Sequence, residues 1–222
     1  MPPSLTELFE KLHVHFGPQQ WWPADSPFEV IVGAILTQNT NWTNVEKAIA
    51  NLKQADALDI ESITSLPQEK LEELIRPSGF FRQKAVRLKH FTRVLIENYD
   101  GHLDRLFALD NDGLRTTLLA LPGIGPETAD SILLYAADRP SFVVDAYTHR
   151  ILERLGIQQG KQNYEQTRSL FMRKLPAETD VFNEYHALIV QLGKQFCRKS
   201  KPRCSDCPLL SCCRFGNSTT KD

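Results

Sequence analysis

All five cysteines of this chain lie in its last 26 residues, and none precedes Cys197. Cys197, Cys204, Cys207 and Cys213 follow the spacing C-x6-C-x2-C-x5-C, with Cys212 as a neighbour that we take as a bystander. A disulfide framework would distribute cysteines over the fold, whereas a tight group predicts a metal site. Four thiolates suit either a zinc ion or a [4Fe-4S] cluster, and ligand number alone leaves both open. Buried free thiols are a weaker interpretation.

Four basic residues lie between the first two of these cysteines: Arg198, Lys199, Lys201 and Arg203. A metal group that orders this short segment would present the four charges to a phosphate backbone. A solvated run of charges is an equally good interpretation of the sequence alone.

The rest of the composition is that of an ordinary globular protein. Of the 222 residues, 41% are apolar and 24% charged, enough for one large domain or two lobes with a sizeable core. No run of 18 apolar residues occurs, and the N-terminus lacks a basic segment followed by an apolar one. We therefore expect a cytoplasmic chain with no membrane segment. The net charge of −1 argues against a surface coated with basic residues but leaves room for a local patch.

Apolar residues recur at helical spacing along almost the whole chain. Ser26-Pro27-Phe28-Glu29 predicts a helix start, with a capping box and proline at the first helical position. Only Ser141–Val144 looks extended, and it is too short to imply a sheet. These patterns predict an all-α fold.

The stretch Leu121–Asp130, LPGIGPETAD, predicts a helix end, a glycine turn and a second helix that begins at Pro126. Gly123 and Gly125 are expected to permit positive φ and a close approach of the backbone. The free N–H groups and the positive dipole end of the second helix then form an anion site suited to one phosphate. An ordinary turn between two helices is the alternative.

Three features together resemble the endonuclease III family of helix-hairpin-helix DNA glycosylases: LPGIGPETAD, the aspartate in FVVDAYTHRIL, and the four-cysteine loop with KPRC. The resemblance implies a [4Fe-4S] cluster rather than zinc, held in a loop over residues 197–213. It also implies a two-lobed fold, with a six-helix barrel lobe over 22–133 and a cluster lobe made of 1–21 and 134–222. Double-stranded DNA with damaged bases would bind in the cleft. We expect a monomer, associated with the nucleoid through DNA.

The residue Glu127 departs from the bifunctional members of that family. In those members a lysine lies two positions after the second hairpin glycine and attacks the sugar C1′ to form a Schiff base. A carboxylate cannot form a Schiff base, although a first-turn acid also simply suits a helix dipole. Asp145 matches the family's aspartate, which stabilises the positive sugar and orients or deprotonates water. A buried capping aspartate is the alternative there.

An enzyme that acts on a base inside a duplex must flip the nucleotide out and fill the gap. Gln38, in LTQNTNW, matches the residue that the family inserts into the stack, and Phe80, in SGFFRQKA, matches a wedge on the opposite strand. Both could instead be packing residues at helix ends.

All three tryptophans, Trp21, Trp22 and Trp42, lie close together beside the proposed flipping segment. Two indole faces could sandwich a flat base and would favour a cationic one by about 0.5–2 kcal/mol. Purines alkylated at N3 or N7 carry that charge and are good leaving groups. Core packing is the common alternative for tryptophan.

A closer resemblance rests on WWP, FE-x-IVGAILTQNT, RPSGF followed by QKA-x-RL, GIG-x-E-x-AD-x-IL and VVD-x-Y, which are similar to the 3-methyladenine DNA glycosylase III branch. It implies that Trp21 and Trp42 stack on the base and that Glu127 and Asp145 lie in the active site. One departure is the cysteine cluster, which the best-known member of that branch lacks.

The sequence therefore predicts a monofunctional glycosylase for alkylated purines such as 3-methyladenine. Two alternatives remain open. One is an endonuclease III-type glycosylase with abasic-site lyase activity on oxidised pyrimidines, or a thymine-mismatch variant, in which another amine such as Lys194 serves. The other is a non-catalytic iron–sulfur DNA-binding protein.

Overall fold

A computed structural model describes residues 2–160 and 162–219, and in this part of the chain every regular element is a helix. The α-helices are α1 (Leu5–Phe16), α2 (Pro27–Leu36), α3 (Trp42–Gln54), α4 (Ile60–Ser65), α5 (Gln68–Leu74), α6 (Phe81–Tyr99), α7 (Leu103–Phe107), α8 (Asn111–Leu119), α9 (Pro126–Ser131), α10 (Ala146–Leu155), α11 (Tyr164–Lys174), α12 (Thr179–Gln195) and α13 (Arg214–Thr219). Short 3-10 turns cover Arg76–Ser78 and Leu210–Cys212, and α9 continues into a π-helical turn over Ile132–Ala136. The predicted all-α class is confirmed.

The chain forms two compact units. The hairpin unit is Trp22–Arg139, and the cysteine unit combines Met1–Trp21 with Pro140–Asp222. Their assignment as a barrel lobe and a cluster lobe stays a prediction. None of the described helices is long and apolar enough to cross a membrane.

Helix α2 forms the centre of the hairpin unit. Every residue from Phe28 to Leu36 is buried, because the helix is apolar on nearly all sides and is packed around by its neighbours. The Ser26 side chain accepts a hydrogen bond from the Glu29 N–H, and Pro27 occupies the first turn. The second hydrogen bond of the predicted capping box, from the Ser26 N–H to the Glu29 side chain, is wrong. The Glu29 carboxylate instead accepts from the Asp25 N–H and pairs with Lys53 at 2.9 Å.

An aromatic cluster forms the core of the cysteine unit. Phe142 and Phe171 stack with their ring centroids 3.7 Å apart, and Phe182 meets Phe142 edge-on. The Tyr185 hydroxyl donates to the Leu5 carbonyl at 2.8 Å, which ties α12 to α1. The segment Ser141–Val144 is buried among helices, and it leads directly into Asp145 at the start of α10.

Candidate functional site

The two glycines of the hairpin have different conformations. Gly123 has φ +85°, and a Cβ added to it would lie 2.6 Å from Arg87 Cδ, so both the turn and the packing require glycine. Gly125 has φ −90° and caps α9, which begins at Pro126. Gly125 therefore does not use the positive φ that glycine permits, because the chain is already extended where it enters the helix. A Cβ at Gly125 would meet nothing within 4 Å, so the start of α9 is open.

Gln38 connects the segment after α2 to this hairpin. Its Nε2 donates to the Gly123 carbonyl at 3.0 Å and to Thr128 Oγ1 at 2.9 Å, while its Oε1 accepts from Arg87 Nη1. The structure therefore places Gln38 beside the predicted phosphate site. Its insertion into DNA stays a prediction and would require these hydrogen bonds to break.

A buried ion pair that sequence reasoning missed holds α9 against α8. Arg115 Nε and Nη2 donate to the two carboxylate oxygens of Asp130 at 2.9 and 3.0 Å, and the Asp130 side chain is fully buried. Such a bidentate pair fixes both distance and orientation. The charged residue Asp130, just before the apolar run Ile132–Leu134, is the available signal in the sequence.

Phe80 combines strain with exposure. It has φ 46° and ψ 30°, a left-handed conformation that is costly for a bulky residue, immediately before α6. Its side chain is 62% exposed, so burial does not compensate for that cost. This combination is what a wedge residue would need, although the role of Phe80 stays a prediction.

Glu127 lies exposed in the first turn of α9, two positions after Gly125. The first turn of a helix favours a negative charge, because the free N–H groups there carry partial positive charge. The hairpin thus carries a carboxylate, not an amine, at this position.

Asp145 is the N-cap of α10. Its Oδ1 accepts from the backbone N–H of Thr148 at 2.7 Å and from the Thr148 hydroxyl at 2.8 Å, while its Oδ2 lies 3.7 Å from His186 Nε2. Burial alone would raise the pKa of Asp145, but His186 and the Thr148 hydrogen bonds outweigh it and lower that pKa below its ordinary value. The capping alternative is therefore realised, and it leaves Oδ2 beside the histidine, with the side chain 13% exposed.

Trp21 lies in different surroundings from Trp22 and Trp42. Trp22 packs against Gly33, Tyr135 and the edge of Trp42, whose ring is perpendicular to it at 4.9 Å between centroids. Trp22 therefore serves the packing of the hairpin unit. Trp21 belongs to the cysteine unit, where Lys194 Nζ lies 5.6 Å from its ring centroid. That any of the three binds a base stays a prediction.

The four predicted ligands Cys197, Cys204, Cys207 and Cys213 line one small apolar cavity. Cys212 does not line it, and its thiol donates to the Leu209 carbonyl. Among the described residues, no three or more His, Cys, Asp or Glu side chains form a group that could hold a metal ion. Burial raises the pKa of the Cys207 thiol to about 11, and the three neighbouring thiols add to this.

The basic residues between the first two cysteines are all exposed. Arg203 forms an ion pair with Asp206 at 2.8 Å, so part of its charge is compensated within the loop. Arg198, Lys199 and Lys201 show no such pairing among the ion pairs of the described chain. These three have more charge available for the predicted phosphate contacts than Arg203, and the contacts themselves stay a prediction.

Comparison with known proteins decides the family. The profile of the HhH-GPD superfamily of base excision DNA repair proteins matches residues 32–177. This chain is a member of the HhH-GPD superfamily. It is 49% identical to a protein of Methanocaldococcus jannaschii that carries the provisional name DNA repair glycosylase MJ1434, over 93% of this chain and 94% of the relative. It is 31% identical to endonuclease III of Bacillus subtilis, over 88% and 84%.

Two solved structures agree with this HhH-GPD assignment. A non-covalent endonuclease III–DNA complex superposes with a TM-score of 0.85 at 24% identity, covering 99% of this chain and all of that one. Helicobacter pylori 3-methyladenine DNA glycosylase (MagIII) bound to 1,N6-ethenoadenine superposes with a TM-score of 0.76 at 29% identity, covering 87% and 98%. The chain is a DNA glycosylase of base excision repair, with DNA as its partner.

Proposed function

We propose that this glycosylase is monofunctional and hydrolyses the N-glycosidic bond of alkylated purines such as 3-methyladenine in duplex DNA. The observation that carries the proposal is Glu127, a carboxylate in the first turn of α9 where bifunctional members of the family have their Schiff-base lysine. The likeness to MagIII, a 3-methyladenine DNA glycosylase, supports the same substrate class.

The chemistry suits such a base. An N3- or N7-alkylated purine is positively charged and leaves as a neutral molecule, so the reaction needs no covalent amine nucleophile. It does need stabilisation of the positive charge that develops on the sugar. Asp145 offers an ionised carboxylate whose lowered pKa keeps it charged at neutral pH. Its Oδ1 is held by Thr148, and Oδ2 is the oxygen that we assign to the sugar or to the attacking water.

Flipping and recognition are assigned to the remaining predicted residues. Gln38 and Phe80 would enter the stack, the open start of α9 would hold a phosphate, and Trp21 with Trp42 would contact the base. Phe80 is supported by its exposure and Gln38 by its position beside Gly123.

The thiol-lined cavity supports a [4Fe-4S] cluster as the cofactor. Such a cluster needs one thiolate at each of four irons, and the spacing of the cysteines is the family's own. Cys197, Cys204, Cys207 and Cys213 would hold it, with Cys212 excluded from the cavity. The bound group would fix a loop that has little core of its own, and Arg198, Lys199 and Lys201 would then be held ready for phosphates.

A second candidate is an endonuclease III-type lyase for oxidised pyrimidines, which the 31% identity to the Bacillus subtilis enzyme favours. It requires an amine nucleophile. Lys194 is the candidate amine, and its Nζ lies over the Trp21 ring.

The test uses duplex DNA treated with a methylating agent, with released bases followed by chromatography and strand breaks counted with and without alkali. We expect release of 3-methyladenine, with breaks only after alkali. Asp145→Asn should lower release by about 10²–10³-fold, because a charge-stabilising group is lost. Asp110→Asn is the matched control, since Asp110 also caps a helix and lies outside the proposed site. Breakage of abasic or oxidised-pyrimidine DNA without alkali, and no methylpurine release, would favour the lyase instead.

A further inference from the structure

The hairpin unit contains a buried lysine that the chemistry above does not use. Lys84, in the first turn of α6, is 1% exposed, and its Nζ donates to the Leu36 carbonyl at 2.8 Å and to the Ser78 carbonyl at 2.7 Å. Burial, with a smaller contribution from Arg87, lowers the pKa of Lys84 to about 8. A lysine is rarely buried unless hydrogen bonds satisfy its ammonium group, and these two carbonyls accept such bonds from Lys84.

Both carbonyls lie at the bases of predicted DNA-inserting segments. Leu36 is the last residue of α2 and precedes Gln38 by two positions, and Ser78 ends a 3-10 turn and precedes Phe80 by two positions. Carbonyls at helix ends have no partner within their own helix. One ammonium therefore joins the ends of two separate helical segments, 42 residues apart in sequence, that lead into Gln38 and Phe80.

We propose that Lys84 is a positioning residue for base flipping, which sets the spacing between the Gln38 segment and the Phe80 turn so that both side chains enter one duplex together. The inference rests on the proposed function, because only a base-flipping enzyme needs that spacing. Two charge-assisted hydrogen bonds to rigid helix ends restrict it more closely than apolar packing would. They also help to hold Phe80 in its left-handed conformation, which persists only where the surroundings over-determine it.

Helix α6 provides a matched control within the same unit. Lys89 Nζ also donates to two backbone carbonyls, those of Thr64 and Leu66, at the end of α4. No residue near that end is predicted to contact DNA. Lys84→Met and Lys89→Met therefore remove the same kind of bridge from the same helix, and only the first should affect flipping.

The experiment compares excision from two duplexes, one with 3-methyladenine opposite thymine and one with it opposite a stable abasic analogue. In the second duplex flipping costs less, and there is no opposing base for a wedge residue to displace. Lys84→Met should lower the single-turnover rate about 10²-fold on the first duplex and only a few-fold on the second. A loss of this size is expected when the inserting side chains are misplaced by about 1 Å. Lys89→Met should leave the ratio of the two rates at the wild-type value. Equal losses by Lys84→Met on both duplexes, or none on either, would overturn the proposal.

Two further measurements distinguish failure of this inference from failure of the proposed function. If Lys84→Met does not fold, Lys84→Arg, which keeps the cation but changes its reach, goes through the same comparison with the same criterion. If the wild-type protein excises nothing from either duplex, the proposed function fails. Lys84 is then tested by fluorescence of 2-aminopurine next to an abasic analogue, which reports insertion without chemistry. An unchanged signal in the Lys84 variant would contradict the inference.

Discussion

In the hairpin unit the turns that lead into the proposed site are fixed by side chains that reach across the sequence. In the cysteine loop, residues 197–213, Arg150 and Arg154 of α10 hold the first residues, and the turns from Lys201 onward are fixed mainly by backbone contacts between near neighbours. In the hairpin unit, Lys84, Gln38 and Arg115 each bridge segments that are distant in the sequence. The loop instead has hydrogen bonds such as those from the Cys207 N–H to the Cys204 carbonyl and from the Leu210 N–H to the Cys207 carbonyl.

The burial of the two regions differs in the same way. Helix α2 is buried along nine consecutive residues, while Leu209 is the only residue between Cys197 and Cys213 that is buried. A segment with so little core cannot offset the entropy of ordering its backbone. The hairpin unit is thus specified by its own side chains, whereas for the loop we propose that the group held by its four thiols supplies the missing order.

The largest effect is expected from removing one ligand. On the proposed cluster assignment, Cys204→Ala should lose the iron and leave residues 201–213 open to proteolysis, because these turns have little core of their own. Cys212→Ala, the control outside the cavity, should keep both the iron and the protection. Iron analysis measures the bound metal, and limited proteolysis measures the protection of the loop. Full iron in Cys204→Ala, or its loss in Cys212→Ala, would refute the ligand assignment.

The next effect concerns the hairpin unit itself. Asp130→Asn should lower the free energy of unfolding by about 3–5 kcal/mol, because it removes the charge of a fully buried carboxylate that binds Arg115 through both oxygens. Glu73→Gln, which breaks an exposed pair with Lys70, should cost much less, because solvent screens that pair. Urea denaturation distinguishes them, and similar losses for both would mean that the side-chain bridge does not hold the hairpin.

The smallest effect separates the two hairpin glycines. Gly123→Ala should cost about 1–3 kcal/mol, because it forces a positive φ on alanine and displaces Arg87. Gly125→Ala should change stability by less than about 1 kcal/mol, since its φ is ordinary and the space beside it is open. It should instead weaken DNA binding, where a methyl group would stand between backbone and phosphate. Denaturation and DNA titration at fixed salt test this, and equal stability losses would contradict it.

Much of this could be predicted from the sequence because it depends on local patterns. The helices follow from apolar periodicity, the turn from Gly123, and the grouping of the thiols from their spacing along one short segment. The partners of the Glu29 carboxylate could not be predicted, because Lys53, which pairs with it, lies 24 residues away in the sequence. Lys84 and the Arg115–Asp130 pair were missed for the same reason, since their partners lie far along the chain and only the fold brings them together.

The chemical role of Asp145 shows where sequence reasoning is ambiguous. The sequence is compatible with a capping aspartate or a catalytic one, and in the structure one oxygen caps α10 while the other lies beside His186. The same residue can therefore satisfy both interpretations, and the carboxylate is held in place by the helix that it begins.

The claim that Glu127 leaves this glycosylase without a Schiff-base step is tested most directly by borohydride trapping. Wild-type protein would be incubated with a duplex that contains an abasic site, in the presence of sodium borohydride, beside a bifunctional glycosylase as positive control. The account predicts no covalent protein–DNA complex from this chain, at protein concentrations at which it releases 3-methyladenine from methylated duplex. A trapped complex would contradict it, and its loss in Lys194→Met but not in Lys89→Met would identify the amine that acts in place of the lysine missing at position 127.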